Sequence, residues 1–80
     1  MNKGGTRRKD EVAIKLVGDN IRKYRIAKNL TILELATLVD SENDLYSQIS
    51  RMELGKVNTN ITMIFAVAKA LGIEPHKLLM

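Results

Sequence analysis

The stretch Thr31–Lys56, TILELATLVDSENDLYSQISRMELGK, decides the fold, because it packs two short amphipathic segments and a polar connection into a few turns of chain. Thr31 followed three positions later by Glu34 is a reciprocal capping box, in which each side chain satisfies an orphan N–H of the other end of the first turn. A helix is therefore predicted from about Ile32 to Val39, with Ile32, Leu35, Ala36 and Val39 on one face. The segment DSENDL then offers turn and cap formers, and Ser41 or Asn43 is positioned to start the next helix. At roughly 100° per residue, Leu45, Ile49 and Met52 fall on one side of that helix. Tyr46, Ser47, Ser50 and Arg51 fall on the other, and Gly55 ends it.

Working outward, Asp10 to Asn29 carries Ala13, Leu16, Val17, Ile21 and Tyr24 at helical spacing, with Asp10 and Glu11 in the first turn and Lys28 in the last. Downstream, Thr59 or Asn60 caps a helix from Ile61 to Leu71 that Gly72 ends. Its core side is predicted to be Ile61, Ile64, Phe65, Ala68 and Leu71. Pro75 opens a last short helix, Pro75 to about Leu79, where its missing N–H costs nothing. Five helices with short connections and no strand predict an all-α domain. The helix pair in the middle is the helix-turn-helix, formed by helices two and three.

The composition agrees with that class and narrows the function. Of 80 residues 45% are hydrophobic and only three are aromatic, which suits helices better than a sheet. A chain of this length is expected to make one domain. Without cysteine there is no disulfide, thiolate metal site or cysteine nucleophile. No apolar run or leader pattern points to a membrane or to export, so the cytoplasm is the expected location. The single histidine, His76, has no carboxylate or cysteine beside it in sequence that would make it a base or ligand. No enzyme activity, cofactor or metal is expected.

The net charge of +4 lies at one end. Lys3, Arg7, Arg8 and Lys9 precede any acid, whereas from Asp10 onward nine Lys/Arg balance nine Asp/Glu. Residues 1–9 therefore read as a flexible basic arm in which Arg7, Arg8 and Lys9 can meet phosphates, and residues 10–80 as the domain. The outward face of helix three fits the same partner, double-stranded DNA. Its side chains are short enough to enter a major groove, Ser47 and Ser50 can donate and accept, and Arg51 can form a bidentate contact to guanine. Tyr46 can reach a phosphate or a thymine methyl.

VGDNIRKYRIAKNLTILELATLV (Val17–Val39) followed by QISRMELGKVNTNITMIFAVAKALGIEPHKLL (Gln48–Leu79) resembles the Cro/repressor-type (XRE-like) helix-turn-helix domain, whose fold is the five-helix lambda-repressor-like bundle. The resemblance implies that Tyr46, Ser47 and Arg51 touch bases and that Lys56 and Asn58 meet phosphates. It also implies that Arg25 and Glu53 bridge helix one to helix three, which suits Glu53 on the flank of the inward stripe. Two positions depart from the family pattern. Ile32 stands where a contact-making Gln is common, and the connection into helix three is longer than usual by about three residues. That added segment is acidic, with Asp40, Glu42 and Asp44 and no Lys or Arg between Asn29 and Ser50, so it is expected to point away from DNA.

Helix four also carries Met63, Ala66 and Ala70 opposite the expected core side. Together with Leu78 and Leu79 they form the expected surface for a homodimer, placing two reading helices about 34 Å apart. The expected function is that of a sequence-specific transcriptional regulator. The alternative is a protein-binding module, such as the antitoxin of a toxin-antitoxin pair, using the apolar surface of helices four and five for a protein partner, a toxin or a larger regulator.

Overall fold

The computed structural model describes Asp10–Met80. The basic-arm expectation for Arg7, Arg8 and Lys9 lies outside the described residues. Helix α1 spans Glu11–Ala27 and opens where the Asp10 carboxylate accepts the Ala13 N–H at 3.0 Å. It closes at Asn29, which adopts the left-handed region at φ 59°, so that the Leu30 N–H reaches back to the Arg25 carbonyl. Helix α2, Ile32–Val39, has both halves of its capping box, Glu34 N–H to Thr31 Oγ1 at 3.0 Å and Thr31 N–H to Glu34 Oε1 at 2.8 Å. Helix α3 spans Tyr46–Glu53, and α4 spans Ile61–Leu71 with Asn60 as its cap.

The last segment corrects the expectation of five α-helices. Pro75–Leu79 is a 3-10 helix, so the described residues hold four α-helices and one tighter turn, with no strand. The Lys77 N–H bonds to the Glu74 carbonyl at 2.9 Å, three residues back, and a five-residue piece is too short to settle into the wider register.

The core gathers one stripe from each element. Ile21 of α1, Leu35 of α2, Ile49 of α3, Val67 and Leu71 of α4 and Leu78 of the 3-10 helix are fully buried. Leu78 is thereby removed from the surface to which the sequence reading assigned it. Its backbone carbonyl also accepts a hydrogen bond from the buried Asn20 Nδ2 at 3.0 Å, which fastens the C-terminal turn to α1. On α4 the inward stripe is Ile64, Val67, Ala68 and Leu71, while Ile61 and Phe65 are 62% and 55% exposed. Both sets satisfy the helical period and share three positions, Ile64, Ala68 and Leu71. The fold takes the stripe that meets α2 on one side and the 3-10 helix on the other, leaving Met63 and Ala70 half-buried against the core.

Two contacts set α3 against α1. A Cβ placed on Gly18 would sit 2.2 Å from the Met52 carbonyl oxygen, so the two backbones touch there and only glycine fits. Two turns further along α1, the Arg25 guanidinium meets the Glu53 carboxylate in a fork, Nε to Oε2 at 2.6 Å and Nη2 to Oε1 at 3.0 Å. Its third nitrogen, Nη1, donates to the Leu30 carbonyl at 2.8 Å and so holds the turn into α2 as well. The hydrogen bond to Glu53 raises the Arg25 pKa further above its already high value, so the cation persists at every working pH.

Glu53→Ala leaves this largely buried guanidinium without its counter-charge. Urea unfolding of the variant is expected to show a loss of about 3 kcal/mol or more, and an unchanged midpoint would refute the pair as a structural tie.

Candidate nucleic-acid interface

Helix α3 owes its orientation to its inward residues, Ile49, Met52 and Glu53, all buried. With those three fixed, the opposite side must face solvent. Its N-terminus is built by the connection rather than by a cap in the helix itself. The Asp44 carboxylate accepts the Tyr46 N–H at 3.1 Å, and Asp40 ties the loop behind it, accepting from the Glu42 N–H at 3.0 Å and from Asn43 Nδ2 at 2.9 Å. Neither Ser41 nor Asn43 starts the helix, which begins later than the sequence suggested. The loop Asp40–Leu45 folds back along Leu33, Ala36 and Thr37 of α2. At the other end Gly55, at φ 70°, lets the Lys56 N–H bond to the Arg51 carbonyl at 3.0 Å, closing the helix and turning Lys56 outward.

The exposed ridge of α3 separates two clefts. On one flank Ser47, Gln48 and Arg51 share a shallow groove with Asp44, Val57 and Asn58. On the other flank Ser50 and Leu54 border a cleft with Lys15, Asp19 and Arg22 of α1 and Ile32 of α2. The four residues expected to read bases are thus divided. Ser47 and Arg51 stand together and exposed, Tyr46 is exposed in the first turn of α3, and Ser50 is half-buried beside α1. Asn58 joins the Arg51 groove, and Lys56 is exposed just beyond the helix. Among the described residues no group of His, Asp and Glu is placed to hold a metal ion, and no helix is long and apolar enough to cross a membrane.

A helix-turn-helix family model matches residues 21–78, which takes in all of α2, α3 and α4. The chain belongs to the helix-turn-helix family. This membership makes it a DNA-binding protein of the transcription-regulator class. Two solved structures share the fold at a TM-score of 0.78 each. One, a hypothetical transcription factor, NHTF, from Neisseria, is 26% identical, and the match covers 94% of this chain and 84% of that one. The other, the restriction-modification controller protein C.AhdI from Aeromonas hydrophila, is 31% identical, with 89% and 99% covered. No curated protein matches the chain in sequence at a significant level.

Two residues of this helix-turn-helix protein escaped the sequence reading. Gln48 stands one helical turn from Arg51 in the same groove, a neighbour that the three-residue spacing alone identifies. Leu54 is exposed at the end of α3, because the helix presents its last outward position there. The acidic connection, in turn, has a local task. The hydrogen bond from Asn43, reinforced by the Glu42 N–H, holds the Asp40 pKa below the ordinary aspartate value.

Since that pKa is depressed in the folded chain, the loop is stabilised above the ordinary aspartate pKa and loses the stabilisation as pH falls through the lowered one. In an NMR titration the Glu42 amide is expected to hold its position through the range where a free aspartate titrates and to move only at lower pH. Movement at the ordinary value would contradict the bonded loop.

Proposed function

We propose that the protein is a cytoplasmic regulator that binds operator DNA as a homodimer, lays α3 into the major groove and represses or activates transcription by occupying its site. The observation that carries this reading is that Ser47, Gln48 and Arg51, the outward side chains of a helix fixed on its other side by Gly18 and Arg25, make no side-chain hydrogen bond or ion pair among the described residues. They are free to meet base edges, with Arg51 giving the bidentate contact to guanine and Tyr46, Ser47 and Ser50 adding contacts at the groove floor and wall. Lys56 and Asn58 would take phosphates beside the groove. Residues 1–9, ahead of the domain at 10–80, would add Arg7, Arg8 and Lys9 along the backbone. The likeness to a transcription factor and to a restriction-modification controller supports the regulatory reading.

The second copy would seat on the exposed side of α4 and the C-terminal turn. Phe65 borders a cleft with Ala66, Lys69, Ile73, Glu74 and Pro75, and Ile61, Leu79 and Met80 extend the apolar area. Lys69 and Glu74 carry opposite charges across that cleft, so a two-fold axis would set each against the other's counterpart. Of the residues first assigned to this surface, Ala66 lines the Phe65 cleft and Leu79 is exposed, whereas Met63 and Ala70 pack half-buried against the core and Leu78 is within it.

Selection from random duplexes with the full chain is expected to enrich a palindrome. Arg51→Ala should relax the preference at one base pair of each half-site by about 1–3 kcal/mol. Failure to enrich any palindrome would favour a protein-binding module such as an antitoxin. In sedimentation, Phe65→Asp is expected to give a monomer at concentrations where the parent chain is a dimer, with the helical circular dichroism of the folded chain kept because the ring is 55% exposed. A parent chain that is already monomeric would remove the dimer.

A further inference from the structure

We infer that Arg22, on the side of α1 that faces α3, is a phosphate-binding residue for the DNA strand on the flank of the recognition helix opposite Lys56 and Asn58. The inference rests on the groove-docking reading above. A helix about 10–12 Å across that enters a groove about 12 Å wide lies between two phosphate strands, so both of its flanks meet negative charge. One flank is supplied: the groove of Ser47, Gln48 and Arg51 continues into Asn58, with Lys56 beside it. The other flank is the cleft between α1 and the end of α3, and most of its lining cannot serve a phosphate. Ile32 and Leu54 offer no donor, and the Arg25 guanidinium is committed to Glu53 and to the Leu30 carbonyl.

Two cations remain there. Lys15 is bonded to Asp19 at 2.6 Å, an exposed pair one turn apart whose carboxylate offsets its pull on an anion. Arg22 lies one turn beyond Asp19, is exposed, and has no hydrogen-bond or ion-pair partner among the described residues. Its forked guanidinium suits phosphate oxygens. Because α1 is locked to α3 at Gly18 and again at Arg25, Arg22 is held at a fixed offset from the reading face. Its contact would therefore set the depth and register of α3 in the groove without reading a base.

The test measures binding of the full chain to its selection-enriched duplex over a salt series, with Arg22→Ala, Arg22→Lys and Lys56→Ala in parallel. Arg22→Ala is expected to weaken binding several-fold and to shallow the slope of log K against log salt by about 0.9 per bound copy, as Lys56→Ala does. Arg22→Lys should keep the slope, the ranking of operator variants should stay as in the parent chain, and the melting temperatures should agree. A parent-like slope and affinity in Arg22→Ala would overturn the assignment while leaving the groove reading intact. A parent chain with no salt-dependent binding to any duplex would overturn both.

Discussion

The Arg25 guanidinium is the point on which this small fold turns. It spends one edge on Glu53 of α3 and its remaining nitrogen on the carbonyl of Leu30, so a single planar group fixes α3 and the entry to α2 with respect to α1. A buried ion pair adds little net stability over an apolar pair of the same volume, but it tolerates fewer geometries. For a domain whose task depends on the angle at which an eight-residue helix is offered, that geometric strictness matters more than the free energy. The backbone contact at Gly18 supplies the second constraint, since one contact alone would leave α3 free to swivel about it.

With α3 held from behind, its front is released from structural duty. The connection that leads into it has the opposite character. Its acids look unfavourable for a DNA-binding surface, yet Asp40 and Asp44 spend their oxygens on the loop's own N–H groups and on the first N–H of α3. Glu34 is likewise occupied with its capping box. The negative charge remains, but it performs the capping that the helix, beginning at Tyr46 with Leu45 before it, cannot perform for itself.

Much of this was legible in the sequence. The capping box, the inward stripe of Leu35, Ala36, Ile49 and Met52, and the glycine ends at Gly55 and Gly72 follow from local chemistry and from a period that a short helix cannot evade. What was not legible depends on which of two acceptable stripes meets a neighbour. On α4, Ile61 and Phe65 fit the helical period as well as Val67 does, and only the positions of α2 and the C-terminal turn decide between them. Leu78 was misplaced for a related reason: nothing local announces that Asn20, far away in the chain, will bond to its carbonyl. In the candidate site, periodicity placed Ser47 and Arg51 on the open face. It could not show that Ser50 leans toward α1 or that Arg22 borders the same helix, because both depend on the α1–α3 crossing.

The closeness of that crossing has a consequence for how such a protein can change. At Gly18 any side chain would collide with the Met52 carbonyl, so the seam behind the helix admits almost no variation. On the front, Ser47, Gln48 and Arg51 hold no contact that the fold needs, and exchanging them leaves the bundle as it is. The molecule thus separates a frozen hinge side from an editable lettered side, only one helix diameter apart. Under the proposed groove reading, a lineage built on this plan can be readdressed to new DNA sequences in single steps, without passing through an unfolded intermediate.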